Sequence, residues 1–143
     1  MTAKEYCSRP RMLEEEMNRK LDQAERLRLL VTQTGQVFRK VSVTSTRRMD
    51  RMQEAMNEAM DLEQEAQELL IDKLDAEREV LQALQFLPEN QAQVLRLHYL
   101  EGLSFQAVSA RMLLDLRWIR RLHERGLARL EERMGFDPPL TLR

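Results

Sequence analysis

Several things are scarce in this 143-residue chain, and each scarcity removes a class of protein. Cys7 is the only cysteine, so one chain can form neither a disulfide nor a thiolate metal cluster, which is what a reducing cytoplasm leads one to expect. Glycine and proline number four each, too few for a turn-rich β fold. Aromatic residues make up only 5% of the chain. No apolar run approaches the ~18 residues of a membrane span, and the opening Met1-Thr2-Ala3-Lys4-Glu5 has no signal-peptide core. A cytoplasmic protein is expected. The net charge of −1 does not by itself point to nucleic acid.

What is abundant are Glu, Lys, Arg, Ala, Leu, Met and Gln, the strong helix formers. An all-α fold follows, with 43% apolar residues to build an elongated core. The near-neutral total hides a polarised distribution. Arg48 to Glu79 holds eleven acidic residues against four basic, whereas Arg117 to Arg129 holds five arginines against Glu124 alone.

Thr2 and Glu5 have the spacing of a capping box. Pro10 either kinks a helix begun there or lies in the first turn of one begun near Ser8. Leu13, Met17, Leu21, Ala24, Leu27 and Val31 then form one helical stripe. Residues 32–46 combine Gly35 with β-branched and hydroxyl residues, and read as a linker. Its Val37, Phe38, Val41 and Val43 could pack back on the helices or form a short extended piece. A second long helix is predicted from Ser45 or Thr46 to about Phe86. Met49, Met52, Met56, Ala59, Glu63, Ala66 and Leu70 make its heptad seam, which resumes at Leu74, Leu81 and Leu84 after a phase shift. The methionines read as adaptable core and the acidic stretch as a solvated face. Two such helices form an antiparallel hairpin within one chain or pair with a second copy; the pattern is compatible with both.

Leu87-Pro88 closes this arm. A helix from Glu89 to about Leu100 ends at Gly102, and Ser104 can cap a short helix Phe105 to Met112. Asp115 can cap a final helix reaching about Met134. Val108, Met112, Leu114, Ile119 and Leu122 lie where a helix-turn-helix needs apolar contacts, Ser109 is small where the helices approach, and Gly126 allows a second close approach. The expected division is a helical arm over 1–86, a helix-turn-helix domain over 87–134 and a flexible tail over 135–143. The exposed face of the last helix, about 115–133, carries Arg117, Arg120 and Arg121. Such a helix enters the major groove, and arginine suits both guanine and phosphate. Arg125 and Arg111 are further candidates for phosphate. Trp118 is expected to pack partly buried, or to stack on DNA or meet a protein.

The run Leu87-Pro88 … Gln93-Val94-Leu95-Arg96-Leu97-His98-Tyr99-Leu100-Glu101-Gly102-Leu103-Ser104 resembles the opening of sigma-70 region 4. Ile119-Arg120-Arg121-Leu122-His123-Glu124-Arg125-Gly126-Leu127-Ala128-Arg129-Leu130 resembles its close. Met-Thr-Ala-Lys-Glu-Tyr at the start, with a long helical arm ahead of such a domain, is similar to small phage and prophage late-gene regulators of the ArpU type. The resemblance implies a transcription regulator in a bacterial host cell, with duplex DNA as partner, RNA polymerase as a second, and a homodimer through the arm. Against the family pattern, Leu113 stands where a glycine is usual in the turn, which would reshape the turn or weaken DNA binding. Ser109 replaces an alanine, and His98 an arginine that could have met a phosphate. A second reading keeps the shape without autonomous DNA binding and uses the acidic arm to dock on polymerase or another regulator. His98 and His123 have no partners at metal-ligand spacing, no cofactor motif is present, and no nucleophile has a recognisable base. No enzyme is expected.

Overall fold

The computed structural model describes residues 1–41 and 46–135. Its elements are α1 (Ala3–Val41), α2 (Thr46–Leu84), α3 (Glu89–Leu95) running into one π-helical stretch (Arg96–Leu100), α4 (Phe105–Met112) and α5 (Leu116–Met134). No strand occurs among the described residues, and none of these helices is long and apolar enough to cross a membrane. The chain separates into two compact units, Leu13–Ile71 and Met1–Met12 with Asp72–Arg143. This differs from a division at 86/87, because the first turns of α1 and the last of α2 cluster with the C-terminal helices.

Helix α1 starts with the expected capping box. Glu5 N–H donates to Thr2 Oγ1 (3.2 Å), and Thr2 N–H donates to Glu5 Oε2 (3.3 Å). Pro10 lies inside the helix, so the carbonyl of Tyr6 has no N–H four residues on. Arg9 Nε replaces it, donating to Tyr6 O at 3.1 Å. The linker predicted over 32–46 is corrected for 32–41, where α1 continues to Val41, while 42–45 lie outside the described residues. Once a long helix is nucleated, each added residue costs only a propensity increment, about 1 kcal/mol for glycine and less for β-branched residues. Thr32 fits by donating its hydroxyl to Arg28 O at 2.9 Å. An extended piece is therefore excluded at 37, 38 and 41, while Val43 and the expected tail beyond Gly135 fall outside the described residues.

In the unit Leu13–Ile71 the two helices run antiparallel. Lys20 Nζ reaches Glu65 Oε2 at 2.9 Å, and Arg28 grips Glu63 through Nε and Nη2. Ala24, Ala59 and Ala66 are buried between the helices, where their size allows close approach. Glu63, the acidic break in the seam, is thus an ion-pair position rather than a packing defect. The Arg28 guanidinium holds its carboxyl below the usual range.

The expected phase shift in α2 is also corrected. Met52, Ala59, Ala66, Lys73 and Val80 keep one heptad spacing and are all buried or half-buried, while Leu74 and Leu81 are exposed. The register never breaks. Lys73 occupies a seam position with its stem packed and its ammonium toward Glu77 (3.7 Å), a disposition that only looks like an interruption when lysine is read as polar.

In the other unit, two clusters share α5. One joins Ala3 and Cys7 of α1 to Val80, Ala83 and Leu84 of α2, and to Leu87, Leu95, Tyr99, Leu127 and Leu130. The other is the helix-turn-helix core: Val94, Leu97, Val108, Ile119 and Leu122, with Leu103, Phe105, Met112, Leu114 and Trp118 packed around it. Every apolar residue assigned to that core from spacing lies in it.

Candidate nucleic-acid interface

The turn before α4 is built by Gly102. Its φ of +74° lets the chain leave the π-helical stretch in a left-handed step, closed by Leu103 N–H donating to Leu97 O at 3.0 Å. Ser104 caps α4 as expected, its Oγ accepting from Ala107 N–H at 3.1 Å. Between α4 and α5 the structure answers the question raised by Leu113. The turn keeps the left-handed backbone (φ 57°, ψ 40°) in spite of the leucine, whose side chain is 89% exposed. Ser109 holds it. Its carbonyl accepts from the N–H groups of Leu113 and Leu114, and its hydroxyl donates to Leu114 O at 2.5 Å. A serine here does more than an alanine could.

Helix α5 follows. Asp115 takes the expected N-cap position, with no capping hydrogen bond from its carboxylate. The acid acts only through its charge near the positive end of the helix dipole. Ile119, Leu122, His123, Gly126, Leu127 and Leu130 form the buried face. Gly126 is a true close approach, since a Cβ there would lie 3.0 Å from Leu95 Cδ1.

The opposite face is the candidate surface. Arg117, Arg120, Arg121 and Arg125 are all exposed, and none forms an ion pair among the described residues. Glu124, in their midst, faces His123 Nδ1 at 3.3 Å instead. Arg120 lies over the Phe105 ring (5.7 Å) and Arg125 over the Trp118 ring (5.4 Å), so aromatic faces orient two of the four guanidiniums. Trp118 itself is half-buried against the core. Arg111 is exposed on α4, away from the α5 row in sequence.

The two histidines, which spacing suggested only as non-ligands, prove to be structural. His98 stacks on Phe105 at 4.2 Å and donates Nδ1–H to Leu103 O at 2.7 Å, so its ring is committed inward. Tyr99 O–H donates to His123 Nε2 at 2.7 Å in the buried interior. Burial pushes the His123 pKa down, with Glu124 opposing and His98 and Lys4 adding to the shift. Burial also raises the Tyr99 hydroxyl, and drives the Cys7 thiol up to about 12, which makes it an inert packing group. A signal for His123 was present in the sequence, because it continues the apolar row of Ile119 and Leu127 at four-residue spacing.

Two helices joined by a tight left-handed turn, the second with an unpaired arginine face, define a helix-turn-helix. Residues 83–132 match the family Sigma-70, region 4, a DNA-binding helix-turn-helix region. No curated protein and no solved structure matches the chain.

Proposed function

We propose that this chain is a DNA-binding transcription regulator of the phage or prophage late-gene type, with α5 reading the major groove and RNA polymerase as a second partner. The observation that carries the reading is the unpaired row Arg117, Arg120 and Arg121, presented by a region-4 helix-turn-helix. Arg125, held over the Trp118 ring, and Arg111 add phosphate contacts. The reading is tested by binding to fluorescent duplex DNA at 50 and 200 mM salt. Each neutralised phosphate contributes about −0.9 to the slope of log K against log salt, so three contacts predict a loss of about 40-fold across that interval. The Arg117/Arg120/Arg121→Ala triple variant should lose most of the affinity and most of the slope. A folded parent without affinity at low salt would exclude autonomous DNA binding.

A second surface favours a protein partner for the arm. Leu29, Leu30, Met60 and Ile71 are each more than half exposed in the unit Leu13–Ile71. We propose that a second copy covers them, giving the dimer that paired half-sites need. Sedimentation should show a dimer that Leu30→Glu and Met60→Glu dissociate. A monomer at tens of micromolar would leave the arm to a different protein, as in the polymerase-docking reading.

A further inference from the structure

The region-4 match begins at residue 83, yet a basic side chain from the far end of the sequence reaches the same domain. Arg9 and Arg11 both stand in the first turns of α1, in the compact unit that holds the helix-turn-helix. Arg9 is fully engaged. It bonds Glu79 at 2.7 Å, lies 4.1 Å over the Tyr6 ring and satisfies the Tyr6 carbonyl. Arg11 is different. Its side chain is exposed and makes no ion pair among the described residues. Its guanidinium lies against Gly102, so close that a Cβ on Gly102 would fall 2.2 Å from Nη1, 2.8 Å from Cζ and 2.9 Å from Nη2. Glu101, the adjacent carboxylate, is committed to Arg96 at 2.7 Å. The requirement for glycine at 102 comes from its positive φ, since the exposed tip of Arg11 could shift aside from a Cβ at little cost.

Three residues beyond Gly102, the Phe105 ring carries the Arg120 guanidinium. Two unpaired arginines, one from α1 and one from α5, thus flank the Gly102–Phe105 connection that leads into α4. In a helix-turn-helix bound to DNA, the first helix of the pair crosses the sugar-phosphate backbone while the second occupies the groove. We infer that Arg11 is a DNA-backbone contact, a phosphate clamp that α1 adds to the domain from outside the region-4 segment. The planar guanidinium has donors left on its solvent side for two phosphate oxygens. The contact carries no base information, so it adds affinity and fixes orientation equally on every sequence. The inference rests on the DNA-binding reading above.

The test uses the full chain and a mixed-sequence duplex of about 25 base pairs, titrated between 50 and 200 mM salt with the parent and with Arg11→Ala, Arg11→Lys and Arg11→Glu. Losing one phosphate contact should lower the steepness of log K against log salt by about 0.9, equivalent to about 8-fold weaker binding at 0.1 M salt. Arg11→Lys should keep the slope, and Arg11→Glu should bind more weakly than Arg11→Ala. A partly unfolded variant lowers the amplitude but not the slope, so a role confined to packing on Gly102 is distinguishable. If the parent binds and Arg11→Ala shows the parental slope and affinity, the clamp is refuted while the DNA-binding reading stands. If the parent does not bind at any salt, both fall together.

Discussion

Leu113 has a left-handed backbone (φ 57°, ψ 40°) and a side chain 89% exposed, and these two facts make its energetics separable. An L-residue in that region costs about 1–2 kcal/mol relative to a right-handed one. Exposure means that truncating the side chain forfeits little burial, so Leu113→Ala should stay within about 0.5 kcal/mol of the parent. Leu113→Gly removes the backbone cost but releases extra freedom in the unfolded chain, about 0.4–1 kcal/mol. The glycine variant should therefore exceed the alanine variant by roughly 0.5–1 kcal/mol. Trp118, the only tryptophan, packs against the helix-turn-helix core and reports on this domain alone. In urea unfolding followed by its fluorescence, a slope of about 1.5 kcal/mol per molar turns that difference into a midpoint shift of about 0.3–0.7 M. Comparing glycine with alanine, rather than with leucine, cancels every effect of the lost side chain. A glycine midpoint at or below that of alanine would refute the left-handed turn as a source of strain, and with it the role given to Ser109 in holding it.

Three further outcomes follow from the same domain. The folded His123 pKa lies below 6.5, so its contribution is intact above that pH, and stability should fall as pH drops below about 6.5 toward the folded pKa, because the unfolded chain binds the proton first; urea midpoints of the parent from pH 7.5 to 5 should decline more steeply than those of His123→Gln. Gly126→Ala gains up to about 1 kcal/mol of helix propensity but drives a Cβ to 3.0 Å from Leu95, which is itself fully buried. The overpacking cost of about 1–3 kcal/mol should win, lowering the midpoint, and a raised one would show that Leu95 yields freely. Removing residues 1–12 should destabilise the domain sensed by Trp118, since Ala3 and Cys7 belong to its core cluster; an unchanged midpoint would show that α1 is dispensable to it.

Where local chemistry decides the structure, it was readable in advance. The Thr2–Glu5 box, the Ser104 cap, the turn glycine at 102 and the five apolar residues of the helix-turn-helix core follow from spacing and residue type, and each is in place. Legibility failed where a residue's type and its task diverge. Lys73 is polar in type but a seam residue through its stem, which produced a false phase shift. Gly35 and its β-branched neighbours are poor helix formers individually, yet together they do not stop a helix already thirty residues long. Leu113 is expected to reshape the turn or weaken DNA binding; the turn is not reshaped, and the Ser109 hydroxyl bond to Leu114 O that helps to hold it is not foretold by residue type. The arginine face was legible as a pattern, whereas its freedom from Glu124 was not, since that depends on His123 drawing the carboxylate away. Arg11 could not have been found from spacing at all. It is 91 residues from Gly102, and only the packing of α1 brings the two together.

The arrangement of α5 ties these details to function. Its inner face is divided, with Ile119 and Leu122 in the helix-turn-helix core and Leu127 and Leu130 in the cluster shared with α1 and α2. Ile119 and Leu122 pack with Val94 of α3, Leu97 of the π-helical stretch and Val108 of α4. The C-terminal half of α5 is anchored separately, and the Tyr99–His123 bond and the Gly126–Leu95 contact pin the middle. Rotating α5 to move its arginines would break packing in two clusters at once, and close-packed interiors resist such shifts. The outward row is therefore preorganised by contacts on the opposite side of the same helix. Residues remote from the arginine row, such as Cys7 and Val80, thus help to fix where Arg117, Arg120 and Arg121 point.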